Sequence, residues 1–113
     1  MHKGTHLGEF ELLVLAALLQ LGDDAYAVTI RDDIERRTGR SASVGSVYAT
    51  LGRLADKGYV EFWSSEPLPV RGGRARKHAR MTSAGQRALR QTLRAIDRML
   101  DGIAGDVRPA EGA

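Results

Sequence analysis

Apolar residues recur along the chain with two distinct periods. Phe10, Leu13, Val14, Ala17, Leu18 and Leu21 fall three and four apart, the spacing of one helical face. This predicts a helix from about Gly8 to Leu21. Leu12, Leu15 and Leu19 widen the stripe, so most of its circumference is expected to be buried. Gly22-Asp23-Asp24 breaks it as a helix-end turn. A second helix is expected from near Tyr26 to Thr38-Gly39, with Ala27, Ile30 and Ile34 inward. Arg31, Asp32, Glu35 and Arg36 face outward, and the Asp32-Asp33 pair reads as part of that solvated face. Gly39 supplies the stop. A third helix starts at Ser43, a good N-cap, and runs to Lys57-Gly58. Its buried stripe is Val44, Val47, Leu51 and Leu54, flanked by Tyr48. Gly45, Ser46, Ala49, Thr50 and Arg53 form the opposite face.

The pattern then turns strand-like. Tyr59 to Trp63 carries β-formers at most positions. Ser64 to Gly73 contains Pro67, Pro69 and Gly72-Gly73 and must be a loop. Arg76 to Met81 returns as a second strand, which makes a hairpin. A last helix opens at Thr82-Ser83 with Thr82 as its N-cap. Leu89, Leu93, Ile96, Leu100 and Ile103 follow at spacings of 4, 3, 4 and 3, a heptad seam. Arg87, Arg90, Arg94 and Arg98 lie away from the seam. Its start, near Leu89, packs on its own domain. The part from Ile96 to Ile103 extends past a body this small and calls for a partner helix. Residues 105–113 have no pattern and are expected to be disordered.

Helix, helix, helix, hairpin, helix makes the fold class mainly α with a small β-hairpin. The order describes a winged helix-turn-helix over residues 7–81, followed by a dimerisation helix over 82–104. The turn is Thr38 to Ala42 and the recognition helix is Ser43 to Lys57. A helix that merely faces solvent carries strong helix formers such as Glu, Lys and Gln on its outer side. Here that side is small and weakly polar, so the backbone can approach another surface.

Charge sharpens this picture. The chain is 113 residues long with a net charge of +3, unevenly spread. Residues 1–57 hold 7 basic and 8 acidic residues, and residues 58–113 hold 10 and 6. Five of those ten basic residues lie between Arg71 and Arg80, with no acid among them. A local cationic cluster suits a polyanion. Candidate DNA contacts are therefore Ser43, Ser46, Tyr48, Thr50 and Arg53 on the recognition helix and Arg71, Arg74, Arg76 and Lys77 in the wing. Serine and threonine hydroxyls suit base edges or phosphates, and the arginines suit phosphates. Candidate dimerisation residues are Leu89, Leu93, Ile96, Leu100 and Ile103.

Other chemistry is poorly supplied. There is no cysteine, which excludes disulfides and thiolate metal sites. His2, His6 and His78 are scattered over a terminus and a strand, so no metal is expected. No nucleophile triad has a scaffold, and no glycine-rich loop joins a strand to a helix, so neither an enzyme nor a cofactor is expected. No apolar run nears the roughly 20 residues of a membrane span, and the first residues lack a signal-peptide layout. A cytoplasmic protein is expected.

Several segments in this order resemble the PadR family of bacterial transcriptional regulators. They are Leu7-Gly8-Glu9-Phe10-Glu11-Leu12-Leu13-Val14-Leu15, Ala25-Tyr26-Ala27-Val28-Thr29-Ile30, Ser46-Val47-Tyr48-Ala49-Thr50-Leu51-Gly52-Arg53-Leu54, Lys57-Gly58-Tyr59-Val60, Gly72-Gly73-Arg74-Ala75-Arg76-Lys77 and Met81-Thr82-Ser83-Ala84-Gly85. The similarity spans about residues 7–100, and the single C-terminal helix resembles the smaller subtype. The resemblance implies a winged helix, a homodimer through the last helix, and binding to double-stranded operator DNA that usually represses. It implies that Tyr48 fixes the recognition helix and touches phosphate. Two positions depart from the family: Ala27 stands where glycine is common, and His78 where an aromatic is usual. Some relatives bind flat drugs in an aromatic pocket at the dimer centre. The one tryptophan here, Trp63, lies in the wing strand, so that pocket is not carried over. Release from DNA requires either an unknown small-molecule effector, whose chemistry no motif specifies, or titration. The alternatives from other classes are a winged-helix protein-interaction module and a small-molecule-responsive sensor without strong DNA specificity.

Overall fold

The computed structural model describes residues 7–64 and 76–103. The wing loop with Arg71 and Arg74, the tail assigned as disordered, and His2 and His6 lie outside the described residues. The elements are α1 (Glu9–Leu21), α2 (Ala27–Thr38), α3 (Val44–Asp56), β1 (Val60–Ser64), β2 (Lys77–Met81) and α4 (Ser83–Leu100). A short 3₁₀ turn, Gly22–Asp24, follows α1. The fold is thus mainly helical with one antiparallel hairpin, β1 pairing β2 from Val60↔Met81 to Ser64↔Lys77. No helix among the described residues is long and apolar enough to cross a membrane.

Each helix starts where a side chain can answer its free amides. The Gly8 amide donates to the Glu11 carboxylate at 2.8 Å. The Tyr26 amide donates to the Thr29 hydroxyl at 3.0 Å. Ser43 and Thr82 accept from the amides of Ser46 and Gly85. Gly39 ends α2 in the left-handed region at φ 73°, which a residue with a Cβ adopts only at a cost.

α1, α2 and α3 pack around Val14, Leu15, Ile30, Val47, Leu51 and Leu54, all 0–1% exposed. Each such side chain contributes about 1.5–3 kcal/mol on burial. Leu19 is not part of this core: it is 58% exposed, because the α1 stripe is narrower than its leucine content suggests.

The hairpin is tied to the helices by backbone. Ala79 donates its amide to Ala25 O at 2.9 Å, and Tyr26 bridges to His78. At the base of α4, the Thr82 amide donates to Tyr59 O at 3.0 Å. Gly85 lies against the same turn: a Cβ there would come within 2.2 Å of the Tyr59 carbonyl oxygen. The position needs glycine for close approach, and it fixes the angle at which α4 leaves the body.

Two further expectations are corrected. Asp33 is 3% exposed, not solvated. Arg36 and Arg37 both pair with its carboxylate, Arg37 Nε at 2.9 Å, and that double pairing lets a charge sit at the helix interface. In α4, Leu89 is buried in its own domain at 7% exposure and is unavailable to a partner. The helix ends at Leu100, so Ile103 stands beyond it in a turn. Leu93, Ile96 and Met99 are exposed, at 50%, 43% and 79%.

Candidate nucleic-acid interface

α3 is positioned from both ends. At its start, the Ser43 hydroxyl accepts from the Ser46 amide at 3.0 Å, and the Ser46 hydroxyl donates to Ser43 O at 2.9 Å. Both serines remain exposed. At its end, Lys57 Nζ pairs with the buried Glu11 carboxylate at 2.9 Å. Burial pushes the Glu11 pKa up, but the Gly8 amide, the Lys57 hydrogen bond and charge, and the charge of Arg53 outweigh it. The carboxyl titrates below its ordinary 4.5. This pair staples the start of α1 to the end of α3, and nothing in the helical periodicity marks it.

The face left open on α3 is Gly45, Ser46, Tyr48, Ala49 and Arg53, all exposed. Thr50 does not belong to it. The residue is 1% exposed; its hydroxyl donates to Ser46 O at 2.8 Å and accepts from Arg53 Nη2 at 2.9 Å. A threonine bonded to its own helix can be buried without an unpaired polar atom. Thr50 therefore orients Arg53 and offers no free edge to a base.

Beside α3 lies the wing strand. Tyr48 stacks on Phe62 with centroids 6.3 Å apart and planes 17° from parallel. Lys77 Nζ sits over both rings, 5.4 Å from Tyr48 and 4.3 Å from Phe62. Arg76 lies 4.7 Å above the Tyr26 ring and donates to its hydroxyl. Aromatic faces hold cations in this way while leaving their outer side to solvent. Val44, Tyr48, Arg76 and Lys77 thus line one groove of about 410 Å³ with Tyr26 and Val28. Of the predicted contacts, Ser43, Ser46, Tyr48, Arg53, Arg76 and Lys77 share the α3 surface or its wing-side flank. Nothing in the local sequence marks Tyr26 and Phe62 as aromatic seats: no basic residue stands within four positions of either.

His78 keeps the aromatic character of its position. It is buried at 7% exposure, stacked 4.3 Å from Trp63 and edge-on to Tyr26 at 5.3 Å. Its Nδ1 is buried without a hydrogen-bond partner among the described residues. The flat ring, not its basicity, fits the site.

A helix-turn-helix, α2 and α3, followed by a cation-bearing hairpin defines a winged-helix protein. The sequence profile described as the transcriptional regulator PadR-like family matches residues 14–91, and the chain belongs to that family. Its members are transcriptional regulators that act on DNA, not enzymes. No curated protein matches the chain. Among solved structures it is similar to a transcriptional regulator from Clostridium thermocellum. That pair is 20% identical with a TM-score of 0.68, covering 87% of this chain and 89% of the other. It is also similar to a PadR family regulator from Eggerthella lenta, at 23% identity and TM-score 0.66, over 90% and 88% of the two chains. Bacillus subtilis PadR, solved in complex with operator DNA, is 19% identical with a TM-score of 0.60, over 75% of this chain and 46% of that one.

Proposed function

We propose that the chain is a repressor that pairs through α4 and binds a roughly palindromic operator with two copies of α3. The observation that carries this reading is the open side of α3, small and nearly uncharged, with Arg76 and Lys77 seated beside it on Tyr26, Tyr48 and Phe62. Ser43, Ser46 and Ala49 bring the helix close to base edges in the major groove, and Tyr48 and Arg53 meet phosphate. Arg76 and Lys77, with Arg71 and Arg74 of the wing loop, hold the flanking backbone. The complex of Bacillus subtilis PadR with operator DNA supports duplex DNA as the partner here.

The exposed Leu93, Ile96 and Met99 on α4, opposite the row of Arg87, Arg90, Arg94 and Arg98, support pairing with a second copy. Leu89 anchors each helix to its own body and leaves the distal turns for the partner. Two-fold pairing places the recognition helices about one helical turn of DNA apart.

The test is binding to duplex DNA across salt concentrations. The parent is expected to bind with an affinity that falls steeply as salt rises. Arg76→Glu weakens binding to every sequence and flattens the slope. Equal affinity of parent and variant at low salt removes the wing from the mechanism. Ile96→Asp is expected to convert the dimer to a monomer in sedimentation, and an unchanged mass removes α4 from the interface.

A further inference from the structure

The flank of α3 away from the wing carries a second groove, of about 450 Å³, lined by Phe10, Arg40, Ser43, Ser46, Thr50 and Arg53 among others. Arg40 is the first residue after the left-handed Gly39, in the turn between α2 and α3, and its amide donates to the Thr38 hydroxyl at 3.0 Å. Its guanidinium lies 5.1 Å over the Phe10 ring, so the start of α1 aims it at the groove. Across the groove Arg53 is held by the neutral hydroxyl of Thr50. The carboxylate that pairs with Arg40 is Glu9, at 2.5 Å, and the two side chains are 43% and 78% exposed. A pair so open to water contributes little to stability, and a polyanion can displace it.

We propose that this groove is a phosphate-binding site for the DNA strand opposite the one held by the wing, with Glu9 as its resident counter-ion. A helix with its side chains is about 10–12 Å across, and the major groove is about 12 Å wide. A helix that enters it lies with each flank against one sugar-phosphate ridge. On α3 those flanks are the Arg76–Lys77 groove and the Arg40–Arg53 groove, and both carry two cations. The exposed ridge of Ser46 and Ala49 walls the second groove directly, so a duplex seated on that ridge brings phosphate to it. This proposal rests on the DNA-binding reading of α3.

The experiment is fluorescence anisotropy with one duplex at several salt concentrations, using the full chain and Arg76→Glu, Arg40→Ala, Arg40→Lys, Glu9→Gln and Glu9→Gln/Arg40→Ala. Arg40→Ala is expected to weaken binding about three- to tenfold and to lower the salt slope by about one unit. Arg40→Lys restores most of the slope. Glu9→Gln tightens binding, and the double variant loses that gain. Should the parent bind and Arg76→Glu weaken it while Arg40→Ala changes neither affinity nor slope, the second groove is not a phosphate site and the wing reading stands. Should the parent itself fail to bind DNA, the functional reading falls with it.

Discussion

α2 and α3 are neighbours of nearly equal length, 12 and 13 residues, and each buries one apolar stripe in the same core. Their outer faces are built on opposite plans. α2 carries six charged residues, and five of them pair within the helix: Arg31 with Asp32, and Arg36 and Arg37 with the shared Asp33. α3 presents Gly45, Ser46 and Ala49 bare, with Arg53 as the cation on that side. Charge that is satisfied within its own helix has little left for a polyanion. A bare ridge flanked by cations has its contacts still to make. The contrast separates a helix that supports from a helix that presents.

The largest effects should fall where the two helices are alike. Ile30→Ala in α2 and Leu51→Ala in α3 each empty a site 0–1% exposed, and each is expected to cost about 2–5 kcal/mol in denaturant unfolding. A loss under 1 kcal/mol in either would mean that the helix is not anchored as described.

The outer faces should then part company. Asp33→Asn keeps an acceptor oxygen but removes the negative charge that Arg36 and Arg37 share, and is expected to cost about 1–3 kcal/mol of stability, with DNA affinity nearly unchanged. Ser46→Glu should leave stability within about 0.5 kcal/mol, since an exposed acid in a first turn suits the helix. It should weaken DNA binding on the order of tenfold or more, about 1.4 kcal/mol. Unfolding and anisotropy on the two variants check this; a reversed pattern would dissolve the distinction between the helices.

The smallest effect concerns what holds α3 against α1. The Glu11 carboxyl has its pKa lowered by folding, so the stability it contributes is present above about pH 4.5 and fades as the pH falls through the folded value. Stability of the parent should drop over that acid window, and Glu11→Gln should drop less there. Identical pH profiles would show that the Lys57 pair is idle.

Much of this was legible in order and spacing. The helices, their caps at Ser43 and Thr82, the stop at Gly39 and the hairpin follow from periodicity and from residues with one local use. What escaped was polar burial and long-range contact. Thr50 reads as polar in any periodic scan, yet its hydroxyl is satisfied four residues back at Ser46, and so it can face inward. Asp33 escaped for the same reason, although its partners stand at the i+3 and i+4 positions where such pairs form. Arg40 meets Glu9 across 31 residues, and Lys57 meets Glu11 across 46; no local pattern encodes either. The heptad spacing runs a turn past the end of α4 at Leu100, while the packing of its start near Leu89 on its own domain follows from the spacing and from the small size of the body.

The absence of cysteine permits the most direct test. A single photo-crosslinker can be placed on Ala49→Cys, on the bare face of α3, and in a second protein on Glu35→Cys, on the charged face of α2. Insertion of α3 into the major groove predicts crosslinks to DNA bases from position 49 and none above background from position 35. Equal yields from the two positions, or crosslinks from position 35 alone, would contradict it.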